Sequence, residues 1–255
     1  MADESTRARR AFAPTPGLTL LALLLGALFV RLGVWQWDRG VDRQAQWSRF
    51  ARGADDLIAP GARPLAELAL FQRIAVSGEL DGAHQFLLDN RTYRGRPGYE
   101  VLTPLVRGAA PRLLVDRGWV PFTGTRARLP DVSLAAPAAP AAPVAPVELT
   151  GRIALLPSPG LASGRAAPSA ADPWPKVTSY PDMSQLAAAL GAPLSPRILL
   201  LDPAAPSGYV RDWQPPGLTP LRHFAYAIQW WAFAVLALLL WALLSRRPRG
   251  GSDGR

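Results

Sequence analysis

Without a single cysteine, the chain can build neither a disulfide nor a thiolate metal site, which excludes zinc-finger and iron–sulfur chemistry. The compartment stays open, because exported proteins can manage without disulfides. Histidine is almost as scarce: His84 and His223 are the only two, so a catalytic triad or a multi-histidine metal site is hard to assemble. No Gly-rich phosphate loop or dinucleotide fingerprint occurs, and Gly95-Arg96-Pro97-Gly98 reads as a turn. The Asp55-Asp56 pair reads as a solvated loop, and His84, in Asp81-Gly82-Ala83-His84, as an exposed hairpin residue. The net charge of +9 invites a nucleic-acid reading, but between Asp38 and Leu221 stand 19 basic against 16 acidic residues. The excess lies in the tails and at helix ends, and no basic stripe interleaved with aromatics appears, so nucleic acid is not expected as a partner.

What the chain has instead is two long apolar runs. The first, Leu18 to Trp37, has the roughly 20 residues a helix needs to cross a bilayer. Trp35 and Trp37 close it like an interfacial anchor, and Arg31 near its outer end is placed to snorkel. A cleaved signal peptide is the alternative, since Arg7, Arg9 and Arg10 precede the run, but no small-residue cleavage site follows. The second run, His223 to Leu244, is followed at once by Arg246, Arg247 and Arg249, a cytoplasmic stop signal under the positive-inside rule. Two spans put both termini on one side. The expected organisation is a cytoplasmic tail (1–17), a first span (18–37), an extracytoplasmic domain (38–221), a second span (222–244) and a basic cytoplasmic tail (245–255). In a Gram-negative bacterium the domain would be periplasmic.

Between the spans, apolar or alternating segments bounded by Gly, Pro and Asp predict strands over Phe71–Glu79, Gln85–Asp89, Tyr99–Val106, Arg112–Val120, Val147–Leu156 and Arg197–Leu201. Helices are expected over Asp38–Arg52 (continuing the first span), over Pro64–Leu70, and from Asp182 to a stop at Gly191. The fold class is therefore a membrane protein whose two terminal transmembrane helices flank an α+β, mainly antiparallel domain. Ala135–Pro146 is a low-complexity Ala/Pro segment, read as a long extended loop within that domain, and Pro157–Pro175 is a second loose stretch.

Two sets of residues stand out. An ionisable ring at membrane depth is a functional-site candidate, and His223 opens the second span in Arg222-His223-Phe224-Ala225-Tyr226. At helical spacing it shares a face with Tyr226, Ala227, Trp230 and Ala234. Aromatic walls with space at the alanines would suit a planar hydrophobic cofactor such as haem, with His223 as axial ligand and the first span, near Trp35, adding walls. An ordinary interfacial aromatic belt explains the same residues. The second set, Asp116-Arg117-Gly118-Trp119-Val120-Pro121, is either a strand end with a buried Trp and an Arg–Asp pair or a partner-docking surface.

With its blocks in order along nearly the whole chain, the sequence resembles the Surfeit locus protein 1 family. Leu32-Gly33-Val34-Trp35-Gln36-Trp37-Asp38-Arg39 resembles the family's motif closing the first span. Gly98-Tyr99-Glu100-Val101-Leu102-Thr103-Pro104-Leu105 and Val115-Asp116-Arg117-Gly118-Trp119-Val120-Pro121 resemble its two central blocks, and Arg222-His223 with Tyr226 and Gln229-Trp230 its motif opening the second span. The resemblance implies a non-enzymatic assembly factor of haem-copper cytochrome c oxidase in the bacterial inner membrane. It would bind haem a transiently and help place it in subunit I, with haem a synthase as a further candidate partner. His223 matches the histidine linked to haem binding, with Tyr226, Trp230 and Trp35 as candidate walls. Arg117, Gly118 and Trp119 match motif positions that would serve docking or structure. Arg31 and the Ala/Pro insert depart from the pattern, and Arg31 is a candidate counter-charge for a haem propionate. A haem-free scaffold for a subunit I intermediate remains the alternative. An anchored enzyme or sensor is disfavoured by the missing nucleophile motif.

Overall fold

The structure, a computed structural model, describes residues 10–53, 57–61, 63–134, 146–157, 166–206, 208–215 and 217–248. The Asp55-Asp56 loop, almost all of Ala135–Pro146, much of Pro157–Pro175, and the tail arginines Arg7, Arg9 and Arg249 lie outside the described residues. The elements in chain order are β1 (Arg10–Phe12), α1 (Pro16–Arg52), β2 (Leu57–Ile58), β3 (Arg73–Leu80), β4 (Phe86–Tyr93), β5 (Arg96–Arg107), β6 (Ala110–Pro121), β7 (Val147–Ala154), β8 (Lys176–Thr178), α2 (Met183–Leu190), β9 (Leu194–Leu201), α3 (Pro220–Leu244) and β10 (Arg246–Pro248). They fall into two compact units, residues 1–47 with 217–255, and residues 48–216.

The first unit is a helix pair. α1 and α3 are both long and apolar enough to cross a membrane. With 37 residues, α1 extends about 55 Å at 1.5 Å per residue, well beyond the ~30 Å hydrocarbon core. It runs unbroken through Asp38, as the polar continuation predicted. Beyond Pro220 and His223 in the first turn of α3, the residues buried along the pair are small: Ala22, Gly33 and Gly40 on α1, Ala227 and Ala234 on α3. In lipid, helices gain little from hiding apolar surface from each other, and close backbone approach over small residues supplies the contact instead. The Trp231 ring lies over Gly33, where an added Cβ would come 2.2 Å from its Nε1, and the Phe224 ring lies over Gly40. Leucines such as Leu20, Leu24, Leu239 and Leu243 point outward, as lipid contact requires. The short terminal strands were not predicted. β1 and β10 pair antiparallel, Ala13 N–H donates to the Ser245 carbonyl (2.7 Å), and Trp241 Nε1 donates to Thr19 Oγ1 (3.0 Å).

The second unit is strand-rich. Its sheet runs β2-β3-β7-β9-β6-β5-β4-β8, and a further pairing of Glu79 and Leu80 on β3 with Val106 and Leu105 on β5 closes β3, β7, β9, β6 and β5 into a ring. Within the ring only β6–β9 is parallel, so the mainly antiparallel expectation holds. Every ring strand contributes to the apolar interior, through Ile74, Val76, Leu105, Leu113, Val115, Leu149, Ile153, Leu199 and Leu201. Leu65 and Leu68, in and just after a 3₁₀ turn at Leu65–Glu67, join that core where a longer helix had been expected. α2 starts and stops as predicted. Asp182 and Gln185 form a capping box, and Gly191 ends the helix at φ 67°. Its Leu186 packs outside the ring with Phe86, Leu88, Leu102, Leu114 and Ile198. Strands β2 and β8, of two and three residues, were missed, being too short for a periodicity.

Candidate functional site

In the helix pair, His223 occupies the fourth position of α3, on the side turned to α1, and only 9% of it is exposed. Its Nδ1 lies 2.9 Å from Gln36 Oε1. A carboxamide oxygen only accepts, so Nδ1 carries the proton and Nε2 the lone pair. That is the arrangement in which a histidine serves as a metal ligand: one nitrogen fixed by a carbonyl-type acceptor, the other free to bind. The residues thus fit one axial imidazole on a haem iron, and among the described residues no cluster of three or more His, Asp or Glu competes for a metal.

The remaining predicted walls divide. Trp230 stacks on Phe29 (5.8 Å between centroids, 22° between planes) and packs beside Phe233 (5.8 Å). Tyr226 and Trp35 stay outward, 46% and 53% exposed. In place of Trp35, Trp37 of α1 meets α3, 4.9 Å from Phe224 and 5.8 Å from Trp231. The space expected at Ala227 and Ala234 is closed, because both are buried in the helix pair. The gap expected between the spans is therefore not open at these two positions. Gln36 was the residue sequence reasoning passed over. It stood inside the Trp35-Gln36-Trp37 motif, but only the helix pairing reveals what its amide holds.

In the strand-rich unit, Arg117, Gly118 and Trp119 come together at the end of β6. Arg117, 3% exposed, donates from Nη1 to Gln85 Oε1 (3.0 Å) and to the Val132 carbonyl (3.1 Å), and its guanidinium covers the Tyr209 ring at 4.9 Å. Gln85 Oε1 also accepts from Thr103 Oγ1 (2.7 Å). The expected Arg–Asp pair is thus replaced by an amide network, since Asp116 accepts instead from the Gly118 N–H (3.0 Å). Gly118 sits at φ 110° with Val210 O only 2.6 Å from where a Cβ would lie, which only glycine tolerates. Trp119, 8% exposed, bridges through its backbone to Val210 and sets its ring beside Tyr93 (5.5 Å) and over Gly98.

Opposite this turn β5 is irregular, its register against β6 shifting between Glu100 and Leu102. Burial pushes the fully enclosed Asp116 carboxyl well above the ordinary carboxylate range, and the nearby Glu100 adds to this; the Gly118 N–H and Arg91 oppose it without cancelling it. Burial also raises Glu100, against the pull of Arg91, whose Nε is 3.0 Å away. This carboxyl pair had no signal in the sequence, because its members come from different strands. His84 lies elsewhere, its Nδ1 2.8 Å from Asp81 Oδ2 and its ring edge-on to Trp174.

Two membrane-length helices that flank a strand-rich domain in the chain, with one histidine held in the helix pair, define a two-span membrane protein with a separate folded domain. A sequence profile of the SURF1 family matches residues 23–235, and the chain belongs to that family. It is 30% identical over 239 residues to uncharacterised SURF1-like proteins of Mycobacterium bovis and of two Mycobacterium tuberculosis strains, covering 90% of this chain and 83% of each relative.

Proposed function

We propose that this SURF1-family protein is an assembly factor of haem-copper cytochrome c oxidase that carries haem a on His223 and helps place it in subunit I. The observation that carries this reading is the His223–Gln36 hydrogen bond, which sets the imidazole in the tautomer that presents Nε2 to a metal. When bound, haem a supplies an iron with a coordination position that takes an imidazole nitrogen. The protein's own part is to hold that ring at membrane depth and to offer Tyr226, Trp230 and Trp35 as apolar surface. A single protein ligand keeps the hold weak enough for release, and no bond of the cargo need change, so the role is that of a chaperone. The basic residues after α3 support cytoplasmic termini and a periplasmic strand domain in the bacterial inner membrane. Docking on subunit I, or on haem a synthase, is assigned to the β6 end. Arg117 and Trp119 are buried, so these residues and Gly118 act from beneath, with the Trp119 ring packed against Tyr93 at the root of the exposed Arg94–Arg96 turn.

The burial of His223 and the closure of the Ala227 and Ala234 face favour one rival: a haem-free scaffold in which His223 and Gln36 only lock the two spans. An optical spectrum of the detergent-purified protein, co-expressed with the haem a biosynthetic enzymes, separates them. The carrier gives a haem a spectrum that His223→Ala abolishes and that Gln36→Leu weakens about 10–100-fold in affinity, as loss of a ligand-orienting partner does. A folded wild-type protein with no haem establishes the scaffold.

A further inference from the structure

Beyond Gln36, α1 carries Asp38, Arg39, Asp42 and Arg43 before Trp47. At about 100° per residue, Arg43 projects within ~20° of the Gln36 direction and Arg39 within ~60°, whereas Asp38 and Asp42 are turned ~160° and ~120° away. The side of α1 that meets His223 is therefore cationic, with its acids on the far side. Arg31, the candidate counter-charge in the sequence, lies ~140° around the helix from Gln36 and is exposed, so it belongs to another face.

Arg43 is half-buried and donates to Gln46 Oε1 (2.8 Å). Its guanidinium lies against Gly217, at φ 96°, where a Cβ would come 2.7 Å from Nη2. The turn leading into α3 thus leaves room for that guanidinium. Arg39 has Asp42 at 3.9 Å, a long contact between exposed groups and so a weak one. Two guanidiniums on the side of α1 that meets His223 would attract a ligand bearing two carboxylates. Arginine's planar fork suits carboxylate, which it binds bidentately.

We propose that Arg39 and Arg43 form the anion-binding end of the His223 site and hold the propionate carboxylates of the haem; this rests on the haem reading above. The test titrates detergent-solubilised full-length protein with haemin and with haemin dimethyl ester, whose propionates are uncharged, and follows absorbance. The wild type should bind the diacid about 10-fold or more tighter than the ester, the scale of a charge-assisted hydrogen bond. Arg39→Gln/Arg43→Gln should lose that preference while binding the ester as the wild type does. The single exposed change Arg39→Gln should lose part of it, and Asp38→Asn/Asp42→Asn none. An arginine double variant that keeps the full preference, or a wild type that binds both forms equally, overturns the proposal and leaves the haem reading standing. A folded wild type that binds neither form overturns the haem reading and this proposal with it.

Discussion

Gln36 fixes the His223 ring from the other helix, and the carboxyl pair on β5 and β6 shows the same kind of control by a neighbour remote in the chain. Asp116 is fully enclosed and has the Gly118 N–H and Arg91 to favour its charged form, which do not offset its burial, so it stays protonated above the ordinary carboxylate range. In the unfolded chain it titrates near 3.9. Between those values the folded state binds more protons than the unfolded one, so stability falls as pH rises through that window. Glu100 acts in the same direction. Thermal unfolding of the full chain, followed by near-UV circular dichroism from about pH 4 upward, should show this decline. Asp116→Asn keeps an acceptor for Gly118 and cannot ionise, so it should flatten the profile and raise the midpoint at the alkaline end. An unchanged slope would mean that Asp116 is already ionised in the folded chain. At this scale the sequence disclosed His223, Trp119 and Gly118 as unusual. It did not disclose Gln36 or the Glu100–Asp116 pair, because each is defined by a neighbour remote in the chain.

Among the elements, α1 and α3 show why apolar length is only half of a span. The helical pattern placed small and large residues on every face, and alanines beside His223 read as space for a cofactor. Paired helices use those alanines, with Gly33 and Gly40, as contact surface instead. Gly33→Leu should therefore disrupt the pair, because its side chain must displace the Trp231 ring. A cost of about 1–3 kcal/mol is expected for such overpacking. It is measurable as a lowered detergent-unfolding midpoint and a shifted tryptophan emission, and an unchanged midpoint would show that the helices do not pack at this point. In the strand-rich unit, α2 was legible because its capping box and stop glycine are contiguous in sequence. The long β5 and β6 were legible for the same local reason. The β3–β5 pairing that closes the ring was not, since it joins segments through register alone.

For the whole molecule, the arginines after α3 and the two spans predict that the strand domain and the C-terminal tail face opposite sides of the membrane. The lack of cysteine makes this simple to measure. Ala109→Cys, on an exposed turn of the strand domain, should react with a membrane-impermeant maleimide in intact spheroplasts, and Ser252→Cys only after permeabilisation. Labelling of Ser252→Cys without permeabilisation would invert the proposed topology. The sequence by itself determined the two apolar runs, the domain between them and the family motifs, because composition, period and capping are properties of adjacent residues. Only the tertiary structure decided that the strands close into a ring, that Arg117 and Trp119 are internal, and that His223 is held by Gln36 with the cations of α1 on the same side. Each of those is a contact between distant residues, set by packing and register rather than by any local pattern.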